Sequence, residues 1–246
     1  RNNIKRNVYE CTNCDVQFLE KNEDNLKKWY SGAYRKDHSS VIGDTKSNKA
    51  KNFYDLNLPL QHRRVKTYRK LLKRSDHVLD IGCSTGHWLK SIKPYVTKVY
   101  GLELNNDHAR FVKNKLKIEC FNDEIKKYNV KNKFDLITFF QVFEHIAEPI
   151  EFLLEVKERL KNNGRLIIEV PNLNDPVIYF DQNKNYKDFY YRRPHEFYYD
   201  KKSLKYVLNK AGLKGEIKGI HRYNFSNLVN WHINGETQVS SSVAMA

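Results

Sequence analysis

Between His77 and Asn172, short apolar runs rich in β-branched residues alternate with longer stretches whose apolar positions recur every three or four residues. The short runs are "HVLDI", "TKVYGLEL", "KIECF", "FDLITFF" and "RLIIEVPN". They read as five strands. The longer stretches "STGHWLKSIK", "NDHARFVKNKL" and "AEPIEFLLEVKERLKNNG" read as helices, the first stopped before Pro94 and the last ended by Gly164 as a C-cap. Strands alternating with helices in this way predict a parallel sheet covered on both faces. Upstream, "NFYDLNLPLQHRRVKTYRKLLK" is helical after Pro59, with Val65, Tyr68, Leu71 and Leu72 near helical spacing.

After Asn172 the alternation stops. "LNDPVIYFDQNKNYKDFYYRRPHEFYY" is aromatic, charged and without period, and loops of that length in a domain are commonly functional. It is expected to be a lid or substrate-binding insertion over 172–199. "DKKSLKYVLNKAGL" is a further helix capped by Asp200 or Ser203, and "EIKGIHRYNF" and "LVNWHIN" predict an antiparallel pair at the sheet edge. The tail 236–246 carries no structural signal and is expected to be flexible.

Composition narrows the class. Of 246 residues, 40% are hydrophobic and 13% aromatic, enough for a real core. The formal charge of +15 invites a nucleic-acid reading. The lysines, however, are spread along the chain, with no run of five or six like charges; that fits solvated surface lysine better than a nucleic-acid footprint, an anionic substrate is a third reading, and nucleic acid is not the expected partner. No stretch reaches the roughly 18 apolar residues of a membrane helix, so no membrane insertion is expected. Cys11, Cys14, Cys83 and Cys120 form no disulfide framework by spacing, which fits a reducing cytoplasm. The chain opens on Arg1, so an upstream segment is expected.

The candidate chemistry sits where the first sheet strand turns into its helix, in "VLDIGCSTGHWL". Ligands of open parallel sheets bind beyond the carboxyl ends of the strands. Gly82 and Gly86 let the backbone approach a ligand and adopt φ > 0, and a helix starting near Thr85 offers unpaired N–H groups. The spacing is not G-x-G-x-x-G, which disfavours a dinucleotide pyrophosphate and with it a nicotinamide oxidoreductase. Glu103, ending the second strand about twenty residues on, can accept hydrogen bonds from both hydroxyls of a ribose.

Taken together, "LDIGCSTG", the acidic end of strand two, "FDLITFFQVFEHI" and "LKNNGRLIIEVPN" resemble the class I S-adenosylmethionine-dependent methyltransferases, over about Val78 to Leu213. The resemblance implies an α/β, Rossmann-like, mainly parallel seven-stranded sheet with helices on both faces, plus an N-terminal segment and an insertion after strand five. It implies a partial zinc-ribbon-like segment over 1–25, a helical lid region over 26–75 and the methyltransferase domain over 76–235. It also implies roles for particular residues. Asp80 organises the loop and reaches the methionine amino group, while Gly82, Cys83, Ser84 and Gly86 line the methionyl part. Glu103 and Leu104 hold the ribose side. Asn122 or Asp123 meets the adenine, and Gln141 lies beside the methionine.

Methyl transfer from a sulfonium is an in-line displacement, so alignment and exclusion of water dominate. A base is needed only where the acceptor loses a proton. His145 in "FEHI" and His195 in "RRPHEF" are the candidates, with Glu144 beside the acceptor; His87 reads as packing. "QVFEH" resembles the metal-binding E-x-x-E-H of quinone-biosynthesis O-methyltransferases, but Gln141 replaces the first acid. Two ligands make a poor magnesium site, and that metal is not expected.

"YECTNCDVQFL" resembles the second half of the zinc ribbon that precedes some sugar and small-metabolite methyltransferases. An upstream C-x-x-C would complete a zinc site with Cys11 and Cys14, since structural zinc takes four ligands. In the same group, Trp29, Tyr30 and Tyr34 would close over the cofactor, and "NFSNLVNWHING" resembles the C-terminal helix region, against the strand reading of "LVNWHIN" above. Arg192, Arg193 and Lys187 would pair with an anionic acceptor. The expectation is methyl transfer to a small molecule, O-methylation favoured, at a hydroxyl of a sugar, surface glycan or phosphorylated metabolite. The alternatives are an RNA methyltransferase and a non-catalytic cofactor-binding module. After strand four this chain has "FFQVFEH" in place of the D/N-P-P-Y/F motif of base-amino methylation.

Overall fold

A computed structural model describes residues 7–20, 49–128, 133–180, 184–191, 194–220 and 225–235. Contacts divide the chain into two compact units: Asp24–Phe140 with Glu155–Glu169, and Arg1–Glu23 with Gln141–Leu154 and Val170–Ala246.

The first unit holds the predicted sheet. Its strands are β3 (His77–Ile81), β4 (Lys98–Leu102), β5 (Glu119–Phe121), β6 (Phe134–Phe140) and β7 (Leu160–Glu169), in the order β5-β4-β3-β6-β7 and parallel throughout. Strand β3 lies at the centre, with Val78 opposite both Val99 and Leu136, and is buried from Val78 to Ile81. A strand covered on two faces has no polar side, hence the apolar run, broken within the buried stretch only by Asp80. Helices α1 (Lys49–Asn57), α2 (Gln61–Tyr68), α3 (His87–Ile92) and α4 (Asn106–Asn114) belong to this unit. Helix α4 is capped by Asn105, whose side chain accepts from the amides of Asp107 and His108. Val78, Trp88, Leu89, Ile92, Val112 and Leu136 form the centre of the core.

The boundary expected at Gly164 lies elsewhere. Helix α5 (Pro149–Glu158) ends six residues earlier, and Gly164 falls within β7. The β6–β7 register jumps from Phe134↔Leu160 to Leu136↔Arg165, so 161–164 form a bulge. A Cβ on Gly164 would stand 2.9 Å from both Leu160 Cδ2 and the Lys161 carbonyl. The glycine thus serves a strand bulge instead of a helix end.

In the second unit, β1 (Val8–Glu10) and β2 (Gln17–Leu19) form a hairpin that continues antiparallel onto β8 (Phe197–Tyr198). The expected lid insertion contains two short helices, α6 (Pro176–Phe180) and α7 (Lys184–Tyr190). Its aromatic residues build a core of their own: Tyr186, Tyr190 and Tyr198 are buried with Leu19, Leu173, Ile178 and Trp231. Helix α8 (Lys201–Lys210) starts with a capping box. The Asp200 carboxylate accepts from the Ser203 amide at 2.7 Å, and the Ser203 hydroxyl accepts from the Asp200 amide at 2.9 Å.

The edge pair expected at the C-terminal end does not form among the described residues. "LVNWHIN" lies within helix α9 (Phe225–Asn234), and 213–220 has no regular structure. The buried positions Asn227 and Trp231 are four apart, one helical turn and not a strand's alternation. The sheet accordingly has five strands among the described residues where seven were expected. No described helix is long and apolar enough to cross a membrane.

Candidate functional site

The turn after β3 is shaped by left-handed backbone. Gly82, Ser84 and Gly86 have φ of 67°, 52° and 74°. The amides of Gly82 and Cys83 donate to the Leu102 carbonyl at 2.7 and 3.1 Å, and that of Gly86 to the Cys83 carbonyl at 2.9 Å. Most N–H groups expected to grip a ligand therefore hold the loop itself. Two carboxylates lie beside this loop, Asp80 within β3 and Glu103 just after β4.

The first carboxylate is Asp80, buried in β3, where Thr138 Oγ1 donates to its Oδ1 at 2.7 Å. Burial raises its pKa to about 7, against the opposing pull of the Thr138 hydrogen bond and the Arg64 charge. A cationic amino group placed against it would restore the ionised form. The second is Glu103, half-buried after β4. Its Oε2 accepts from the Ser84 amide at 2.7 Å and its Oε1 from the Asn105 amide at 2.8 Å. Each carboxylate oxygen keeps a further lone pair for a hydroxyl. Asn122 Nδ2 donates to the Glu103 carbonyl at 2.7 Å, which brings the turn after β5 alongside. Asp123 accepts from the Glu124 amide and pairs with Lys127 Nζ at 3.0 Å. Leu104 is half-buried next to Glu103.

Two of the expected lining residues point inward. A Cβ on Gly86 would meet Leu116 Cδ1 at 2.9 Å and Val112 Cγ2 at 3.0 Å, so the glycine admits the end of α4. The Cys83 side chain belongs to the core, its Sγ 3.9 Å from Cys120 Sγ. Gly101 makes room for that pair, since a Cβ there would lie 2.7 Å from Cys83 Sγ. Both lining residues can contribute to a ligand site through backbone. Gln141, the residue after β6, has φ 57°. A non-glycine residue in that region costs on the order of 1 kcal/mol and is held by its surroundings. Ser84 and Gln141, both singled out in the sequence, are two of the four such residues described.

Sequence reasoning missed two groups. His108, buried in α4, meets the Ser84 hydroxyl through Nδ1 at 3.2 Å and stacks on Phe53 with 5.5 Å between ring centroids. Arg64 of α2 reaches Glu169, the last residue of β7, with Nη2–Oε2 of 2.8 Å; its guanidinium also lies 4.3 Å from the Phe140 ring centroid and donates to Gln61. Burial, followed by the Glu169 charge, pushes the Tyr68 hydroxyl far above its ordinary range. The signal was a lone arginine in an amphipathic helix and a glutamate closing an apolar strand. Each is unremarkable until the fold joins them.

The second unit brings together the two candidate bases. Glu144 and His145 lie on a single 3-10 turn, and His195 comes from the insertion. The His145 and His195 rings meet edge to face at 4.8 Å, and His145 Nε2 lies 3.8 Å from Glu144 Oε1. His145 Nδ1 is 2.5 Å from the Pro194 carbonyl, and the Glu196 amide donates to the Glu144 carbonyl at 2.8 Å.

Cys11 and Cys14 occupy the β1–β2 turn, where the Cys11 amide donates to the Val16 carbonyl at 2.9 Å. Backbone amides of Asn13 and Cys14 hold the Cys11 thiol below its ordinary range, as suits a metal-binding thiolate, while burial raises Cys14. They are two of the four ligands that structural zinc requires. Trp29, Tyr30, Tyr34, Arg192 and Arg193 lie outside the described residues. Lys187 is exposed on α7.

A family model described as a methyltransferase domain matches residues 53–216. The chain belongs to that family, and its sheet is the Rossmann-like class I fold. Among curated proteins, it is similar to a sphingolipid C9-methyltransferase of Candida albicans, 26% identical over 64% of this chain and 33% of the relative. It is also similar to a mitochondrial ubiquinone biosynthesis O-methyltransferase of Candida albicans, 32% identical over 42% of this chain and 34% of that protein. The matches thus span about a third of those relatives' own lengths. In fold it is similar to a SAM-dependent methyltransferase from Archaeoglobus fulgidus, with a TM-score of 0.58 and 20% identity over 72% of this chain and 78% of the other. A SAM-dependent methyltransferase from Aquifex aeolicus has a TM-score of 0.54 and 23% identity, over 70% and 92%.

Proposed function

We propose that this protein transfers a methyl group from S-adenosylmethionine to a small-molecule acceptor, at a hydroxyl of a sugar, surface glycan or phosphorylated metabolite. The observation that carries the reading is the pairing of a buried Asp80 with a Glu103 anchored on the Ser84 amide, at the carboxyl ends of adjacent strands. The cofactor supplies an activated methyl group on a sulfonium. Asp80 takes the amino group and Glu103 the ribose hydroxyls. Asn122 and Asp123 serve the adenine edge. Leu104 covers the ribose side, and Gln141 orients the methionine part.

Loss of the acceptor's proton falls to His145 or His195, with Glu144 beside the acceptor. Arg192, Arg193 and Lys187 give an anionic acceptor its counter-charge. The relatives named above support methyl transfer at oxygen or carbon of larger metabolites, and the sugar or phosphate acceptor rests on the basic residues. Free cysteines at all four positions fit the reducing cytoplasm.

The test is calorimetric titration with S-adenosylhomocysteine, with NAD as control. Micromolar binding of the former alone is expected. Binding of neither, or of NAD, would overturn the reading.

A further inference from the structure

We propose that Glu144, His145 and His195 form a binding site for a divalent transition-metal ion. Their ligand atoms all lie within 4.8 Å of one another. A tetrahedral ion about 2.1 Å from each donor sets the donors about 3.4 Å apart. The 3.8 Å between His145 Nε2 and Glu144 Oε1 is close to that.

The protonation pattern is already the one a metal needs. The Pro194 carbonyl can only accept, so the 2.5 Å contact places the proton of neutral His145 on Nδ1. The lone pair is then on Nε2, the atom directed at Glu144. An imidazole whose far nitrogen is anchored on a backbone carbonyl is the usual outer support of a metal-bound histidine.

The site is also pre-assembled. The Glu196 amide bonded to the Glu144 carbonyl joins the two segments that supply the ligands. Phe143 stacks on Tyr199 at 5.2 Å and 18°. Glu144 is 1% exposed and His195 3% exposed.

Two imidazoles and one carboxylate select zinc, manganese, iron or cobalt over magnesium and calcium, and three protein ligands leave a position for an oxygen donor. The sequence hides this site, because "FEH" supplies only two of the ligands and the third lies fifty residues on. It is separate from the Cys11–Cys14 turn, and its readout is the bound ion, independent of methyl transfer; an imidazole that holds the ion has no lone pair left for a proton, so with the ion bound His145 and His195 do not serve as the base.

The experiment uses the full chain carrying Cys11→Ser and Cys14→Ser, so that the turn contributes no thiolate; Cys83 and Cys120 remain in the core, and the cobalt spectrum tells sulfur ligands from nitrogen and oxygen. The protein is stripped with a chelator and titrated with Zn²⁺ and Co²⁺, with Mg²⁺ as control. One tightly held equivalent of zinc per chain, and a cobalt visible spectrum from nitrogen and oxygen ligands, are expected. His195→Ala and Glu144→Gln should each weaken the ion by about tenfold or more. Retention of no zinc by this variant chain, or a cobalt spectrum of sulfur ligands, would overturn the site. So would unchanged affinity in a folded Glu144→Gln chain, which preserves side-chain size should His195→Ala fail to fold.

Discussion

The backbone N–H of Ser84 donates to Glu103 Oε2 at 2.7 Å, and so ties the turn after β3 to the end of β4. One carboxylate thereby fixes the shape of a loop from a neighbouring strand while keeping lone pairs for a ligand. Loop shape and ligand contact are lost together when it is removed.

Glu103→Ala should therefore weaken binding of S-adenosylhomocysteine by about 1–3 kcal/mol, the cost of charged hydrogen bonds and an orphaned amide. Calorimetry checks this, and unchanged affinity would remove Glu103 from the site.

Binding should also depend on pH through Asp80. With its carboxyl pushed up to about 7 by burial, the ionised form that an ammonium needs is scarce below that pH. Affinity should rise from pH 6 to 8 and level off, and Asp80→Asn should flatten the profile. The sign for folding is opposite. A carboxyl raised above its ordinary value of about 3.8 favours the folded chain when protonated. That contribution is complete below pH 4 and lost as pH rises through 7, which urea melts at pH 5 and 8 would show, with Asp80→Asn as reference.

Gly86→Ala should destabilise the fold by about 1–3 kcal/mol. The new methyl meets Leu116 and Val112 at 3.0 Å or less, at a φ of 74°. Gly215→Ala, with nothing within 4 Å, should be close to neutral. A thermal melt of the two variants decides it, and equal shifts would show that the packing at Gly86 is slack.

Arg64 and Glu169 are 14% and 9% exposed in their side chains. Removing one partner of such a pair leaves a buried charge and costs about 3–5 kcal/mol, whereas replacing both by apolar residues costs far less. Arg64→Met should thus destabilise more than the double variant Arg64→Met/Glu169→Leu. Additive losses in a double-mutant cycle would refute the coupling.

The five strands could be read from sequence because a doubly covered strand is a short apolar run, and Gly82 and Glu103 because their positions follow from the strand ends. What could not be read has a physical cause in each case. "LVNWHIN" is short and mixes aromatic with β-branched residues, so propensity alone left strand and helix undecided; Asn227 and Trp231 at one-turn spacing carry the answer. The insertion showed no period because its tyrosines pack on Leu19 and Trp231, far away in the chain. Arg64 and Glu169 are 105 residues apart, and no local pattern pairs them. The inward turn of Cys83 depends on the space left by Gly101 on the next strand.

The pairing of β2 with β8 sets an order of events during synthesis. Gln17 meets Tyr198, and Asn13 meets the Tyr206 hydroxyl at 2.8 Å. At about 5–20 residues per second, the hairpin emerges from the ribosome on the order of ten seconds or more before its partner strand exists. Throughout that wait Leu19 has no aromatic cluster to enter, and the edge of β2 stands open. The parallel sheet, whose last strand ends at Glu169, can close in the meantime. A segment made well before the sheet is thus among the last to find its place.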